Sequence, residues 1–224
     1  MKTWTAVQRL IASLALSSFV SVGLFLVRDL HYGTSRYIFL NWNLFLAWLP
    51  LLFAWWLMKW VAKNPWISWQ GMGLTLLWLG FLPNSFYLVS DLIHLQTTLA
   101  SNVFYDVVLL VSFAWNGLVL GFFSLYLVHR LLIKRIEWRY AHLLIAGVLL
   151  LCSFAIYLGR YLRWSTWDVL VNPAGILFDV SDRIINPEAH GQTFTTTLTF
   201  FLLLGSMYLV LWQFVGVIRE QKHS

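Results

Sequence analysis

The sequence has few charged residues and almost no cysteine. Only 11% of its 224 residues are charged and 60% are hydrophobic, whereas soluble domains carry about 25% charged residues. Because so little polar surface cannot cover a globule in water, a soluble enzyme or binding domain is excluded. The single cysteine, Cys152, excludes an internal disulfide and a zinc site of clustered cysteines, and its apolar surroundings indicate a packing role.

The sequence also lacks the common motifs of soluble catalysis. It contains neither a glycine-rich phosphate loop nor a G-x-S-x-G nucleophile elbow. The formal net charge of +6 does not indicate a nucleic-acid partner, because the cations cluster in the loops between apolar runs. The composition therefore indicates an integral membrane protein.

Apolar runs long enough to span a bilayer occur six times. They cover about residues 10–27, 43–60, 103–128, 141–158 and 197–217, with another from about residue 69 through Pro83. The predicted fold is an all-α bundle of six transmembrane helices, forming a single domain over residues 1–224. Ser21-Val22-Gly23 resembles a signal-peptide cleavage site, but the first run continues to Arg28, which favours an uncleaved helix.

The loop cations predict that both termini are cytoplasmic, because positive charge is enriched in cytoplasmic loops. The side that holds the termini carries Lys2, Arg9, Lys59, Lys63, Arg130, Lys134, Arg135, Arg139, Arg219 and Lys222, and the opposite side carries Arg28, Arg36, Arg160, Arg163 and Arg183. Most of the acidic residues fall on the opposite, outer side, which makes that side the expected place for function.

The fifth loop is predicted to contain a short amphipathic helix on the surface. Ser165 and Asp168 have the spacing of a capping box. Asn172-Pro173 then provides a cap and a first helical residue, and apolar residues follow at helical spacing until Asn186-Pro187.

Pro50 and Pro83 lie at similar depths in neighbouring spans. Proline kinks at matched depths are expected to splay the helices and open a pocket toward the outer leaflet. Two alternatives remain for Asn84. It caps a second half-helix that points its positive dipole end into the membrane, or it bonds to its own backbone in one continuous, kinked helix.

Asp91 and His94 are three residues apart and therefore share a helix face. Such a pair can hold a metal, relay protons or bind a polar head group, or it can form a hydrogen-bonded pair at the surface. Asp106 follows Ser101-Asn102 in the first turn of the fourth span, where the cap and the helix dipole explain it. Asn116 lies within that span and is expected to join helices.

Arg160 and Arg163 are three residues apart at the outer end of the fifth span. Paired guanidinium groups beside aromatic rings suit phosphate or carboxylate recognition, and the alternative is snorkelling with pairing to Asp168 or Asp91. The 14 tryptophans mostly flank the spans. Deeper tryptophans serve packing or lipid contact, or line a cavity for an acyl chain; these are Trp48, Trp55, Trp56, Trp78 and Trp115.

Several separated motifs together resemble a known family. They are residues 41–50 (NWNLFLAWLP), Leu82-Pro83-Asn84-Ser85-Phe86-Tyr87 leading to Asp91-Leu92-Ile93-His94, Tyr105-Asp106, and residues 159–164 (GRYLRW) with Trp167-Asp168. From about the second span onwards, the chain resembles the bacterial multi-pass membrane family catalogued as domain of unknown function 1361. The resemblance implies a bacterial inner-membrane protein and carries no activity.

The leading functional hypothesis is that the protein binds or moves a small anionic solute or a lipid head group. An outer-face pocket would be formed by Asn84, Asp91, His94 and Asp106, with Arg160, Arg163 and Asp168 at its edge. One alternative is an intramembrane envelope enzyme, a hydrolase or transferase, with Asp91 and His94 as general base or metal ligands. Another is an accessory subunit that binds a second membrane protein.

Overall fold

The computed structural model describes residues 5–33, 35–97 and 103–221. These residues form eight α-helices, α1 to α8: Ala6–Tyr32, Ile38–Val61, Trp69–Ser90, Val103–Ile133, Trp138–Tyr161, Asp168–Val171, Pro173–Ile185 and Gly191–Glu220. They also form 3-10 helices at Asp91–Thr97 and Pro187–His190. Four residues named in the sequence predictions lie outside the described residues: Lys2, Ser101, Asn102 and Lys222.

The described helices confirm the predicted fold class, an all-α polytopic membrane protein. Six helical segments are long and apolar enough to cross a membrane: Val7–Tyr32, Ile38–Val61, Trp69–Gln96, Val103–Ile133, Trp138–Tyr161 and Pro187–Glu220. Each contains one of the predicted apolar runs. About 20 residues are enough to cross the hydrocarbon core, so the longer helices extend past it.

The predicted surface helix of the fifth loop is α7. Asn172 caps it as expected, since its side-chain oxygen accepts a hydrogen bond from the Gly175 N–H (3.1 Å) and Pro173 is the first helical residue. Only half of the predicted capping box forms. The Asp168 carboxylate accepts from the Ser165 N–H and hydroxyl, but α6 begins at Asp168 itself.

The chain divides into two compact units. Unit 1 comprises Met1–Trp56 and Met72–Ser124, and unit 2 comprises Leu57–Gly71 and Leu125–Ser224. Unit 1 therefore contains α1 and most of α2, α3 and α4. Unit 2 contains α5 to α8 and the remaining ends of α2, α3 and α4.

Helices α3 and α4 approach each other closely in unit 1 because α4 carries glycine at the contact. A Cβ on Gly117 would lie 2.3 Å from the carbonyl oxygen of Ser85, and one on Gly121 would lie 2.7 Å from the Phe86 ring. Small residues that allow two backbones to approach are typical of helix pairs in membranes.

Asn116 joins α1 to α4, which confirms the role expected for it. The hydroxyl of Ser18 donates to its side-chain oxygen (3.2 Å), and its amide nitrogen donates to the hydroxyl of Ser21 (2.9 Å) and to the carbonyl of Ser112 (2.9 Å). Trp48 of α2 adds a hydrogen bond from its indole nitrogen to the Ser18 hydroxyl (3.2 Å). A buried amide is thus satisfied by its neighbours rather than left for a ligand.

The expected opening between the two proline-containing helices is wrong. Pro50 and Pro83 lie inside the unbroken helices α2 and α3. At their level the hydroxyl of Ser85 donates to the carbonyl of Ala47 (2.9 Å), and both of these residues are fully buried. A side-chain donor has entered the region where a proline weakens the backbone ladder, so it draws α2 and α3 together.

Within unit 2, α7 is held to the end of α5 by a partly buried polar network. The Trp164 indole N–H donates to the Asp179 carboxylate (2.7 Å). The Arg183 guanidinium donates to the Asp179 carbonyl (2.6 Å) and to the Tyr157 hydroxyl (3.3 Å). A Cβ on Gly175 would lie 2.8 Å from the Trp164 ring, so the ring packs directly on the α7 backbone.

Candidate functional site

Asp106 is fully buried at the start of α4 and is neutralised by an arginine from α1. The Arg28 guanidinium donates to both carboxylate oxygens, at 2.8 and 3.3 Å, and the Tyr37 hydroxyl donates to one of them at 2.9 Å. The guanidinium carbon also lies 4.5 Å from the centre of the Tyr37 ring. A bidentate, charge-assisted pair of this kind is among the strongest polar contacts in proteins.

The explanation of Asp106 by its helix position is therefore incomplete. Its position in the first turn of α4 is as predicted, but the ion pair with Arg28 and the bond from Tyr37 compensate its burial. Neither Arg28 nor Asp106 has a partner that local sequence spacing predicts. The available signal was that Arg28 ends one apolar run while Asp106 begins another on the same predicted side.

Asp91 and His94 are brought together, as their spacing predicted, by the 3-10 helix that follows α3. Three residues per turn place both side chains on one face, and the His94 Nε2 lies 4.0 Å from the Asp91 carboxylate. Asp91 is not at the surface, however. It is 1% exposed and accepts a hydrogen bond from the Asn43 side chain of α2 (3.1 Å).

His94 is only half-buried and lies next to Arg36. Its ring packs on Phe39 with ring centres 5.0 Å apart, and its side chain keeps 35% exposure. The Arg36 guanidinium donates to the His94 carbonyl (3.1 Å) and lies 5.2 Å from the centre of the Tyr37 ring. We call Arg36 and His94 together the Arg36–His94 rim. Its guanidinium and imidazole groups are partly accessible, whereas the carboxylates of Asp91 and Asp106 are buried.

Asn84 supports the second of the two alternatives raised for it. Its side-chain amide donates to the carbonyl of Phe81 (3.1 Å), and α3 runs without a break from Trp69 to Ser90. The half-helix with a free N-terminus inside the membrane is wrong. Pro83 is accommodated in a continuous helix whose own backbone engages the Asn84 amide.

The described residues give no support to the metal alternative at Asp91 and His94. Within residues 5–33, 35–97 and 103–221, no three histidine, cysteine, aspartate or glutamate side chains are grouped so that they could hold a metal ion. Catalytic zinc takes three protein ligands.

The other three predicted site residues, Arg160, Arg163 and Asp168, belong to unit 2. Arg160 is half-buried in the last turn of α5, and Arg163 is exposed just beyond it. Hydrogen bonds from the backbone and hydroxyl of Ser165 hold the pKa of Asp168 below its usual range. Asp168 thus serves the local turn.

Arg163 adopts a left-handed backbone conformation, with φ at 60°. A side chain there costs about 1–2 kcal/mol, which glycine avoids. We expect Arg163→Gly to raise the thermal unfolding midpoint slightly, whereas Arg160→Gly, inside α5, should lower it. If Arg163→Gly instead lowers the midpoint, the Arg163 side chain makes a stabilising contact that outweighs the backbone cost.

A buried histidine in unit 2 was also missed. His129 of α4 is 1% exposed, stacks on Trp212 with ring centres 4.0 Å apart, and shares a hydrogen bond of 2.9 Å with the Tyr208 hydroxyl. Its other ring nitrogen is buried without a hydrogen-bond partner among the described residues. The signal was a histidine that directly follows the apolar run of residues 103–128, where a polar group in the same helix needs partners on neighbouring helices.

Comparison with known proteins identifies a family but no activity. The family model described as protein of unknown function (DUF1361) matches residues 42–207, a range that includes Asn43, Asp91, His94 and Asp106. No curated protein and no solved structure matches the chain. On the strength of the match over most of its length, the chain belongs to the DUF1361 family of proteins of unknown function.

Proposed function

We propose that this protein binds the phosphate-bearing head group of a membrane lipid, or a small anionic solute of the same chemistry, at the Arg36–His94 rim. The proposal places it in the bacterial inner membrane with both termini in the cytoplasm. The six apolar helices and the excess of loop cations on the side of the termini support that placement. The rim would then face the periplasm.

The observation that carries the proposal is that the acidic side chains in this part of unit 1 are buried and hydrogen-bonded, whereas the basic side chains of the rim are partly exposed. Asp106 is engaged by Arg28 and Tyr37, and Asp91 is engaged by Asn43. The carboxylates are therefore occupied within the protein, and Arg36 and His94 keep part of their side-chain surface exposed besides the contacts that they make. A guanidinium beside an imidazole supplies several N–H donors, the arrangement that favours phosphate oxygens.

The neighbouring groups hold the rim in place. Asp91 lies 4.0 Å behind the His94 imidazole and Phe39 packs on its ring, so the ring has little freedom to turn. The hydrogen bond from Arg36 to the His94 carbonyl (3.1 Å) and its position on the Tyr37 ring restrict the guanidinium. Preorganised donors lose less entropy on binding.

Binding is favoured over movement of a ligand across the membrane. Transport would need a polar path that continues inward from Asn84, through Asn116 or along the bundle axis. Both amides are used in helix contacts, Asn84 with Phe81 and Asn116 with α1. These amides would have to break buried or partly buried hydrogen bonds to serve a moving solute, and each buried bond that is broken costs about 1–3 kcal/mol.

Native mass spectrometry of the purified protein tests the proposal. We expect the wild type to retain a phospholipid, and Arg36→Gln and His94→Gln each to reduce its retention about tenfold, as the loss of one charge-assisted hydrogen bond implies. Glycerol phosphate added to the wild type separates the two ligand sources. Competition with the lipid indicates a shared head-group site, and binding of glycerol phosphate without any retained lipid indicates a small solute.

Arg9→Gln is the matched control, because Arg9 is exposed near the start of α1 and belongs to the same unit. It should leave lipid retention unchanged. If both rim variants retain lipid and glycerol phosphate as the wild type does, the rim is not the binding site and the proposal is rejected.

A further inference from the structure

Unit 1 contains an open groove between α1 and α4, with a volume of about 400 Å³. Its walls are formed by Ser17, Val20 and Ser21 of α1 and by Val107, Val111 and Trp115 of α4. On α4 the lining extends over eight helical steps, which correspond to about 12 Å. The volume is within the usual range of small-molecule sites, about 300–1,000 Å³.

The groove is apolar although serines line it. The Ser21 hydroxyl donates to the Ser17 carbonyl (3.4 Å) and accepts from Asn116 (2.9 Å). The Ser112 hydroxyl donates to the Leu109 carbonyl (2.7 Å). Because these polar atoms are used within and between the two helices, the wall that remains consists mainly of methyl, methylene and indole groups. Such a wall suits an alkyl chain better than a polar solute.

One end of the groove leads to the charged end of unit 1. Val107 directly follows Asp106, and Arg28 lies seven residues beyond Ser21, which is about 10 Å along α1. The guanidiniums of Arg28 and Arg36 both lie on the Tyr37 ring, 4.5 and 5.2 Å from its centre. The Tyr105 hydroxyl of α4 donates to the Leu24 carbonyl of α1 (2.8 Å). This bond joins the two helices between the groove and the Arg28–Asp106 pair.

We infer that the groove between α1 and α4 holds one acyl chain of the phospholipid whose head group binds the Arg36–His94 rim. The inference rests on the proposed function and adds the ligand class, an anionic amphiphile. Its polar end matches the Arg36 guanidinium and the His94 imidazole, and its apolar end matches the valines and Trp115. A soluble anion would leave the groove empty, and an apolar peptide helix in the groove would make no contact with the basic groups of the rim.

A chain-labelled lipid tests the inference. The protein is reconstituted with phosphatidylglycerol that carries a photoactivatable diazirine in the middle of one acyl chain, then irradiated and mapped by peptide mass spectrometry. We expect adducts in residues 17–21 and 107–115. Val111→Trp, which fills the groove, should lower these adducts about tenfold, as a loss of about 1.4 kcal/mol implies. Val210→Trp, which changes an exposed valine on α8, should not.

The outcomes separate the inference from the proposed function. If Arg36→Gln lowers the labelling and Val111→Trp does not, the head-group site holds and the acyl-chain groove is wrong. If Val111→Trp lowers it and Arg36→Gln with His94→Gln does not, the groove holds a chain but the proposed head-group site is wrong. A dimer in native mass spectra that Val111→Trp dissociates would overturn the inference, because the groove would then be an interface between copies.

Discussion

Replacing Arg28 with methionine is expected to destabilise the protein by about 3–5 kcal/mol, which is the usual cost of leaving one member of a buried ion pair without its partner. Arg28 is 4% exposed and Asp106 is fully buried, so the carboxylate cannot recover hydration by a small movement. The expected result is a large fall in membrane-inserted, detergent-stable protein. The thermal midpoint in detergent and the yield of monodisperse protein measure it.

The double variant Arg28→Met with Asp106→Leu is the decisive control. When both charges are removed, neither member of the pair is left buried without its partner, and most of the lost stability should return. The Tyr37 hydroxyl loses its acceptor, so recovery should be incomplete. Arg130→Met removes an exposed arginine from the same helix as Asp106 and should change little. If the double variant is as unstable as the two single variants combined, the pair is not coupled as its geometry indicates.

Replacing Gly117 with alanine is expected to destabilise the protein by about 1–3 kcal/mol, the range for an overpacked core. The added methyl group would lie 2.3 Å from the Ser85 carbonyl oxygen and within 3.0 Å of Leu88. Because the nearest atom belongs to the backbone, α3 and α4 must move apart to accommodate it. Such a movement also disturbs the bond from Ser85 to Ala47. Chemical or thermal unfolding in detergent measures the loss.

Gly80→Ala in α3 is the matched control for Gly117→Ala. Nothing lies within 4 Å of the position that its Cβ would take, so the gain in helix propensity, up to about 1 kcal/mol, should be retained. Opposite signs for the two substitutions would support the close approach of α3 and α4. If Gly117→Ala is as harmless as Gly80→Ala, the two helices do not pack at this distance.

Features that depend on local sequence were predictable. Apolar length located the spans, and the Asn172-Pro173 cap located α7. The spacing of Asp91 and His94 placed their side chains on one face because the segment between them is helical. In each of these cases the interacting groups are neighbours in the chain, so the period of the helix was sufficient to predict the outcome.

The partners of the charged residues could not be predicted in the same way. Arg28 and Asp106 are separated by 78 residues, and Asn43 and Asp91 by 48. Which faces of α1, α2 and α4 meet depends on packing, which no local spacing encodes. The expected pocket at the two prolines failed for a related reason. That Pro50 and Pro83 lie at similar depths in the membrane does not determine how far apart their helices are. The Ser85 hydroxyl brings α2 and α3 into contact.

Phosphate binding at the Arg36–His94 rim can be measured as a nitrogen–phosphorus distance by solid-state NMR. The protein, with ¹⁵N-labelled arginine and histidine side chains, would be placed in phosphatidylglycerol bilayers and studied by dephasing of ¹⁵N signals by ³¹P. If a lipid phosphate binds at the rim, one guanidinium signal and one imidazole signal should be strongly dephased, and these signals should disappear in Arg36→Gln and His94→Gln respectively. Dephasing that is unchanged in both variants would contradict it.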